Sequence, residues 1–422
     1  EQILDIDEEK KIEQELRKLG YIWINFYVKL INKIIWWSIS SENTVNLIFI
    51  MIDGARLDRI VTGKNYSNLI SNSAFFPKTI TYAPYTIAAL HAVFSGSYGH
   101  KTGVNSYWST PKFKKDEYKT LSLYLQQNGY YTHADVINDL VLPKIGFDSF
   151  VVHDEENDDL TIRHKLLLDE MKNKSDQNKD FFLYLHYSNI HTGIMQEVLK
   201  KYDNFSEEYF SKKKDNEKFY DGLFKKADVY LGEIISHCEK LDLVENSLIV
   251  VISDHGISIG EKIGERAYGV YCYDYTLIST ALFNHHSLPN KITENQIRSI
   301  DLLPTILEIL SIPMDSDYKQ IDGKSLVSII NGRDEERIAF SQSGNPLKNK
   351  QPPKEPNVFS IRTDKWKFIS NIHNNTEELY NLQNDPTEEN NLIDSNPEIS
   401  SKLREEMNNI LHEGKLSWEK KK

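Results

Sequence analysis

Three uninterrupted apolar runs decide what this chain can fold into: NLIFIMID at residues 46–53, FFLYLHYS at 181–188 and SLIVVISD at 247–254. Runs of this length without polar alternation suit strands buried on both faces of a parallel sheet. Helical segments lie between them, TLSLYLQQNG ending at Gly129 and FYDGLFKKADVYLGEIISHCEKL at 219–241. Strands alternating with helices predict an α/β sandwich with a mostly parallel central sheet. In such sheets chemistry gathers at the carboxyl ends of the strands. Asp53 and Asp254 stand at two such ends.

The texture changes near residue 336. Short strand patterns follow (RIAFSQ, NVFSIRT, KWKFISN, ELYNL), then a last helix over 397–412. They predict a small antiparallel sheet with a terminal helix. A chain of 422 residues also exceeds what one hydrophobic core usually serves. The expected division is an N-terminal amphipathic helical segment over 1–44, a catalytic domain over 45–335 and a C-terminal subdomain over 336–422. Residues 21–40 interleave aromatics with Lys29 and Lys33. That pattern suits a helix lying on a membrane surface or one packed on the main domain, not a spanning helix. With no signal peptide in the visible chain, the expected location is cytoplasmic, with peripheral membrane contact through that helix as an option.

The net charge of −12 comes without a dominating basic patch, which argues against a nucleic-acid partner. An anionic substrate would then need local positive charge, most simply a metal ion. The two cysteines, Cys238 and Cys272, form no Cys-x-x-Cys pair, so a zinc ribbon or disulfide framework is excluded.

Candidate chemistry begins with VVISDHG. A strand there delivers Asp254 and His255 side by side, a good pair for a divalent metal. Asp53 can add another oxygen, although a lone strand-end Asp often caps the next helix. Thr86 opens a small-residue helix after Ala83-Pro84-Tyr85. It reads as an N-cap threonine, or as a nucleophile whose hydroxyl joins Asp53, Asp254 and His255 around one cation.

The order of these pieces resembles the sulfatase family of the alkaline phosphatase superfamily. An apolar strand reaches Asp53, Thr86 precedes Ser95-Gly96, and Ser253-Asp254-His255-Gly256 comes later. Gly96-Ser97-Tyr98-Gly99-His100, Asn128-Gly129-Tyr130 and Gly146-Phe147-Asp148 look like its next landmarks. Asp301-Leu302-Leu303-Pro304-Thr305, Asp322-Gly323-Lys324 and Glu378-Leu379-Tyr380-Asn381-Leu382 look like its later ones. The resemblance covers roughly residues 45–395 and implies an alkaline-phosphatase-like sandwich.

Departures from the family are equally specific. Its Cys-x-Pro-x-Arg or Ser-x-Pro-x-Arg, the source of formylglycine, is Thr86-Ile87-Ala88-Ala89-Leu90 here. Its Lys-x-His after the Gly-Tyr landmark is missing from HADVINDL, and its late lysine falls on Gly269. Threonine at the nucleophile position resembles instead the phosphoryl-transfer relatives: lipoteichoic acid synthases, phosphoethanolamine transferases and nucleotide pyrophosphatase/phosphodiesterases.

The resemblance implies a metal-dependent hydrolase or transferase of phosphate esters, working through a phosphothreonine at Thr86. His191 would serve near the leaving group, with His186 the weaker candidate. Arg56 would clamp an anionic oxygen, or pair with Asp58. His91 faces either site or core, and Lys262 and Arg266 would replace lost positive charge. One divalent cation is expected on Asp53, Thr86, Asp254 and His255, with zinc or manganese ahead of calcium or magnesium. His373 is a poor match for the late histidine of two-metal relatives. The implied substrate is an anionic small-molecule, lipid-linked or glycan-linked phosphoester. The competing readings are a sulfatase without formylglycine and an inactive glycan- or partner-binding member.

Overall fold

The computed structural model describes residues 45–199, 209, 211–262, 269–344 and 353–419. The segment at 21–40 and Arg266 lie outside the described residues.

The three apolar runs form the centre of a nine-stranded sheet. Strand β1 (Asn46–Ile52) lies between β5 (Phe181–Tyr187) and β6 (Ser247–Ile252), parallel to both. Every residue of these three strands is buried, as their composition requires. On the far side of β5 come β3 (Tyr131–Val136) and β4 (Ser149–Val152), also parallel. On the far side of β6 the sheet turns mixed. There β7 (Ile278–Asn284) runs antiparallel to β6 and to β2 (Ala74–Ile80). Pro77 cannot donate to a ladder, and the β2–β7 register shifts between Phe76 and Thr79. Two short strands, β8 (Lys291–Ile292) and β9 (Ile297–Arg298), complete this edge against β2.

Alternate residues of β1 serve the two faces of the sheet. Ile48, Ile50 and Ile52 join a core with Leu168 and Met171 of α2 (Leu160–Ser175) and Tyr230, Leu231 and Ile234 of α3 (Lys213–Lys240). Phe49 points the other way, its ring 6.0 Å from that of Phe94 in α1 (Thr86–Ser95). Helix α1 is buried at all ten of its positions, so its small side chains allow close approach. Register then sets the site. Met51 pairs with Ile252 across β1 and β6, so Asp53 and Asp254, two residues further on, leave the sheet at the same level.

A second, antiparallel sheet contains β10 (Ala339–Ser343), β11 (Val358–Arg362), β12 (Trp366–Asn371) and β13 (Thr376–Asn381) in that order. It does not stand apart as a separate unit: Asn46–Lys422 is one compact body. Cys272, Tyr273 and Leu277 share a core cluster with Val358, Ile369 and Tyr380. An ion cluster lies beside it. Asp274 accepts from Arg362 and from Lys367, each at 2.8 Å, and Lys367 also pairs with Glu388 at 2.8 Å. Burial pushes the Glu388 carboxyl up to about 7 despite Lys367 beside it. Lys367 itself is fully buried, and among the described residues its ammonium pairs with these two carboxylates. Lys367→Met removes the shared cation and should cost about 3–5 kcal/mol in urea unfolding.

Candidate active site

The site is assembled from the carboxyl ends of β1, β5 and β6 and the amino end of α1. After β1 the backbone turns at Gly54, whose φ of +72° belongs to the left-handed region. A Cβ there would also come within 2.9 Å of Ile257. That turn aims the Gly54 amide at Asp254 Oδ1 (3.1 Å), which also accepts from the His255 amide (2.9 Å). Asp254 is thereby fixed with Oδ2 toward the interior. Asp254 Oδ2 and Asp53 Oδ1 are both buried without a hydrogen-bond partner.

His255 completes the set. Its Nδ1 donates to the Gly256 carbonyl at 2.8 Å, which leaves Nε2 with its lone pair toward the carboxylates. Nε2 lies 3.3 Å from Asp254 Oδ2 and 3.8 Å from Asp53 Oδ1. Lone pairs facing one another in a buried pocket repel unless a cation lies between them. One ligand atom from each of Asp53, Asp254 and His255 falls within 4.8 Å of the others, so the residues fit a divalent metal.

The two carboxyls are electrostatically split. Burial works to raise Asp53, but His191, His186 and His255 outweigh it and hold the group well below the usual carboxylate range. Burial and the neighbouring Asp53 charge push Asp254 up. Opposed shifts in one pocket are what two like charges produce while no cation neutralises them.

Thr86 resolves its two sequence readings. Tyr85, with φ −158° and ψ 146°, occupies the N-cap place, and Thr86 is the first helical residue. The Thr86 side chain caps nothing. Its Oγ1 donates to Asp53 Oδ2 at 3.3 Å and lies 3.3 Å from His255 Nε2. His191 Nδ1 is 3.7 Å from Asp53 Oδ2, and its side chain is 21% exposed, which places it at the mouth. His186, underrated from sequence, lies fully buried beneath the site and donates Nε2 to Asp53 Oδ2 at 3.3 Å.

Other expected residues do not join. Arg56 is corrected from an anion clamp to a structural tie. Its fork is taken by Asp58 (3.1 and 2.9 Å), by Glu261 (2.6 Å) and by the Ile257 carbonyl. His91 bonds the Leu140 carbonyl at 3.2 Å, and burial lowers it to about 4, so it faces the core. Lys262 contacts the Glu388 carbonyl and lies over the Tyr273 ring. His373 is exposed in the β12–β13 turn. Sequence reasoning missed Asp135, His153, His164 and Ser188, a buried polar group beside the site. The one available signal was an Asp at the end of the β3 segment.

Asp254→Ala should abolish tight divalent-metal binding while the chain stays folded. Elemental analysis after dialysis against zinc or manganese measures it, and full occupancy in the variant would refute the assigned ligands.

Comparison with known proteins agrees with this geometry. The family described as Sulfatase matches residues 45–312, and one described as N-sulphoglucosamine sulphohydrolase, C-terminal, matches 263–413. Arylsulfatase K of Canis lupus familiaris is 26% identical over 223 residues, covering 49% of this chain and 39% of its own length. A sulfatase of Formosa agariphila is 24% identical over 268 residues, covering 57% and 47%. The chain thus spans less than half the length of these two relatives. Among solved structures, a 2-O GAG sulfatase superposes with a TM-score of 0.72 at 16% identity, over 89% of this chain and 94% of its own. A phosphonate monoester hydrolase from Silicibacter pomeroyi gives 0.67 at 16% identity, over 87% and 95%. Those two likenesses are of fold alone. The Sulfatase match takes in β1, β5, β6 and α1, and by it the chain belongs to the Sulfatase family.

Proposed function

We propose that this chain is a metal-dependent hydrolase of anionic esters, with Thr86 as nucleophile and phosphorus as the preferred centre. One observation carries the reading: the Thr86 hydroxyl, free of any capping duty, is directed at Asp53 and His255. Asp53, Asp254 and His255 would hold a divalent cation, which would supply the positive charge that eases loss of a hydroxyl proton and draws electrons from the substrate's oxygens.

The protein's own groups do the rest. Thr86 Oγ1 gives up its proton to solvent and forms a bond to phosphorus as the bond from phosphorus to the leaving oxygen breaks. His191, at the mouth, gives that oxygen a proton. Water then attacks the phosphothreonine and passes a proton to the His191 left unprotonated, and the released Thr86 oxygen takes a proton from solvent, restoring the hydroxyl. First-turn amides of α1, without acceptors inside the helix, can meet a non-bridging oxygen. An acceptor alcohol in place of water makes the same site a transferase.

Preference for phosphorus rests on missing cations. The family's arginine position is Leu90, fully buried in the core. Its late lysine position is Gly269, where an added Cβ would face the Tyr107 hydroxyl at 3.3 Å. The second reading is sulfate-ester hydrolysis, favoured by curated relatives that are named sulfatases. Side-by-side assay of phosphodiesters, phosphonate monoesters and sulfate esters separates the two, and faster turnover of sulfate esters would replace the phosphorus reading.

Thr86→Ala should keep the fold and the metal yet lose turnover by at least ~10³. Mass spectrometry of enzyme quenched during turnover should find one added phosphoryl group on the peptide holding Thr86. Wild-type turnover in Thr86→Ala would overturn the assignment.

A further inference from the structure

Beside the site lies a buried polar cluster that the chemistry above does not use. Asp135, at the carboxyl end of β3, meets His153, just after β4, and His164, on α2. All three side chains are fully buried. Three such residues can hold a metal, but here each facing atom has a matched partner. Asp135 Oδ1 accepts from His153 Nδ1 at 2.6 Å and from His164 Nε2 at 3.4 Å. Asp135 Oδ2 accepts from Arg163 Nε at 2.6 Å. The far nitrogens are also taken: Ser188 Oγ donates to His153 Nε2 at 3.0 Å and the Tyr230 hydroxyl to His164 Nδ1 at 2.6 Å. Both oxygens of Asp135 and the facing nitrogens of both imidazoles thus have partners, without orphaned oxygens of the kind seen on Asp53 and Asp254.

Ser188 shows where the network leads. It is the N-cap of the short helix Asn189–Ile194, which carries His191. A serine there ordinarily turns its hydroxyl to an amide of the first helical turn. Ser188 makes no such cap and gives its hydroxyl to His153 instead. The segment after β4 grips the same helix again at Thr192, whose hydroxyl donates to Glu155 Oε2 at 3.1 Å. His153 also lies edge-on to His186, with ring centroids 6.2 Å apart, and His186 touches Asp53.

We propose that Asp135 and His153 are positioning residues. Acting through Ser188, they fix the junction between β5, which carries His186, and the short helix that carries His191, and so set where His191 stands relative to the leaving group. The inference rests on the role given to His191 above.

Ser188→Ala removes one oxygen and adds no bulk, and Thr192→Val cuts the second tie. In the full chain each should lower kcat, Ser188→Ala by about 10–100-fold, in line with loss of an outer hydrogen-bond partner at a site. KM should hold within about twofold, and metal content should not change. The 15N imidazole signals of His186 and His191 should shift in Ser188→Ala while those of the remote His237 and His285 stay put. Unchanged kcat in both variants would overturn the proposal. So would a second cation per wild-type chain that is lost in Asp135→Asn, since the cluster would then be a metal site. If the wild type turns over none of the esters, the functional reading fails, and the imidazole signals alone decide the positioning role. Still signals for His186 and His191 in Ser188→Ala would then refute it.

Discussion

Two carboxylates forced into one buried pocket organise this protein. Parallel pairing of β1 with β6 brings Asp53 and Asp254 out at the same level. Their mutual repulsion, with the loss of water, would cost several kcal/mol per ion if nothing compensated. The surroundings all answer that cost. Gly54 turns so that its amide reaches Asp254. The Gly256 carbonyl fixes the His255 tautomer. His186 and His191 approach Asp53 from below and from the mouth. The ligand atoms of Asp53, Asp254 and His255 lie close enough to hold a divalent cation.

How much of this could be read from the sequence depended on whether the cause was local. The apolar runs, and the acids that end them, are local, so the central strands and the placing of Asp53 and Asp254 at their ends were legible. Strand β2 was not, because AFFPKTI mixes a proline and a lysine into an edge-side strand whose partner, β7, comes roughly 200 residues later. Arg56 stood between an anion clamp and a pairing with Asp58; the pairing is present, and a further partner, Glu261, arrives from the loop after β6. The Asp135 network was invisible because its members sit singly on separate elements, with no spacing to betray them. His191 and Thr86 were legible only through resemblance, since an isolated histidine or threonine carries no signal of its own.

Membership of the family coexists with a changed anion pocket. Where the family keeps cationic side chains, this chain places Leu90 in the core and Gly269 beside stacked Tyr85 and Tyr107, whose rings lie 4.4 Å apart. Around Asp53 stand three histidines instead. Under the function proposed above, recognition of negative charge would move from fixed ammonium and guanidinium groups to a metal, imidazoles and helix amides. Without a cation the pocket carries the negative charge of Asp53, which would repel an anionic ester.

Tyr85 at the N-cap and Thr86 just inside α1 have an evolutionary meaning. The helix is anchored by burial along its whole length and not by the side chain that begins it. With Thr86 as the nucleophile proposed above, folding and reactivity are written at different residues. A lineage could then exchange the reactive atom at position 86, sulfur for oxygen or a primary hydroxyl for a secondary one, by a codon change or two without unsettling the scaffold. A fold arranged this way can drift between ester chemistries while its strands, its turn at Gly54 and its paired aspartates stay as they are.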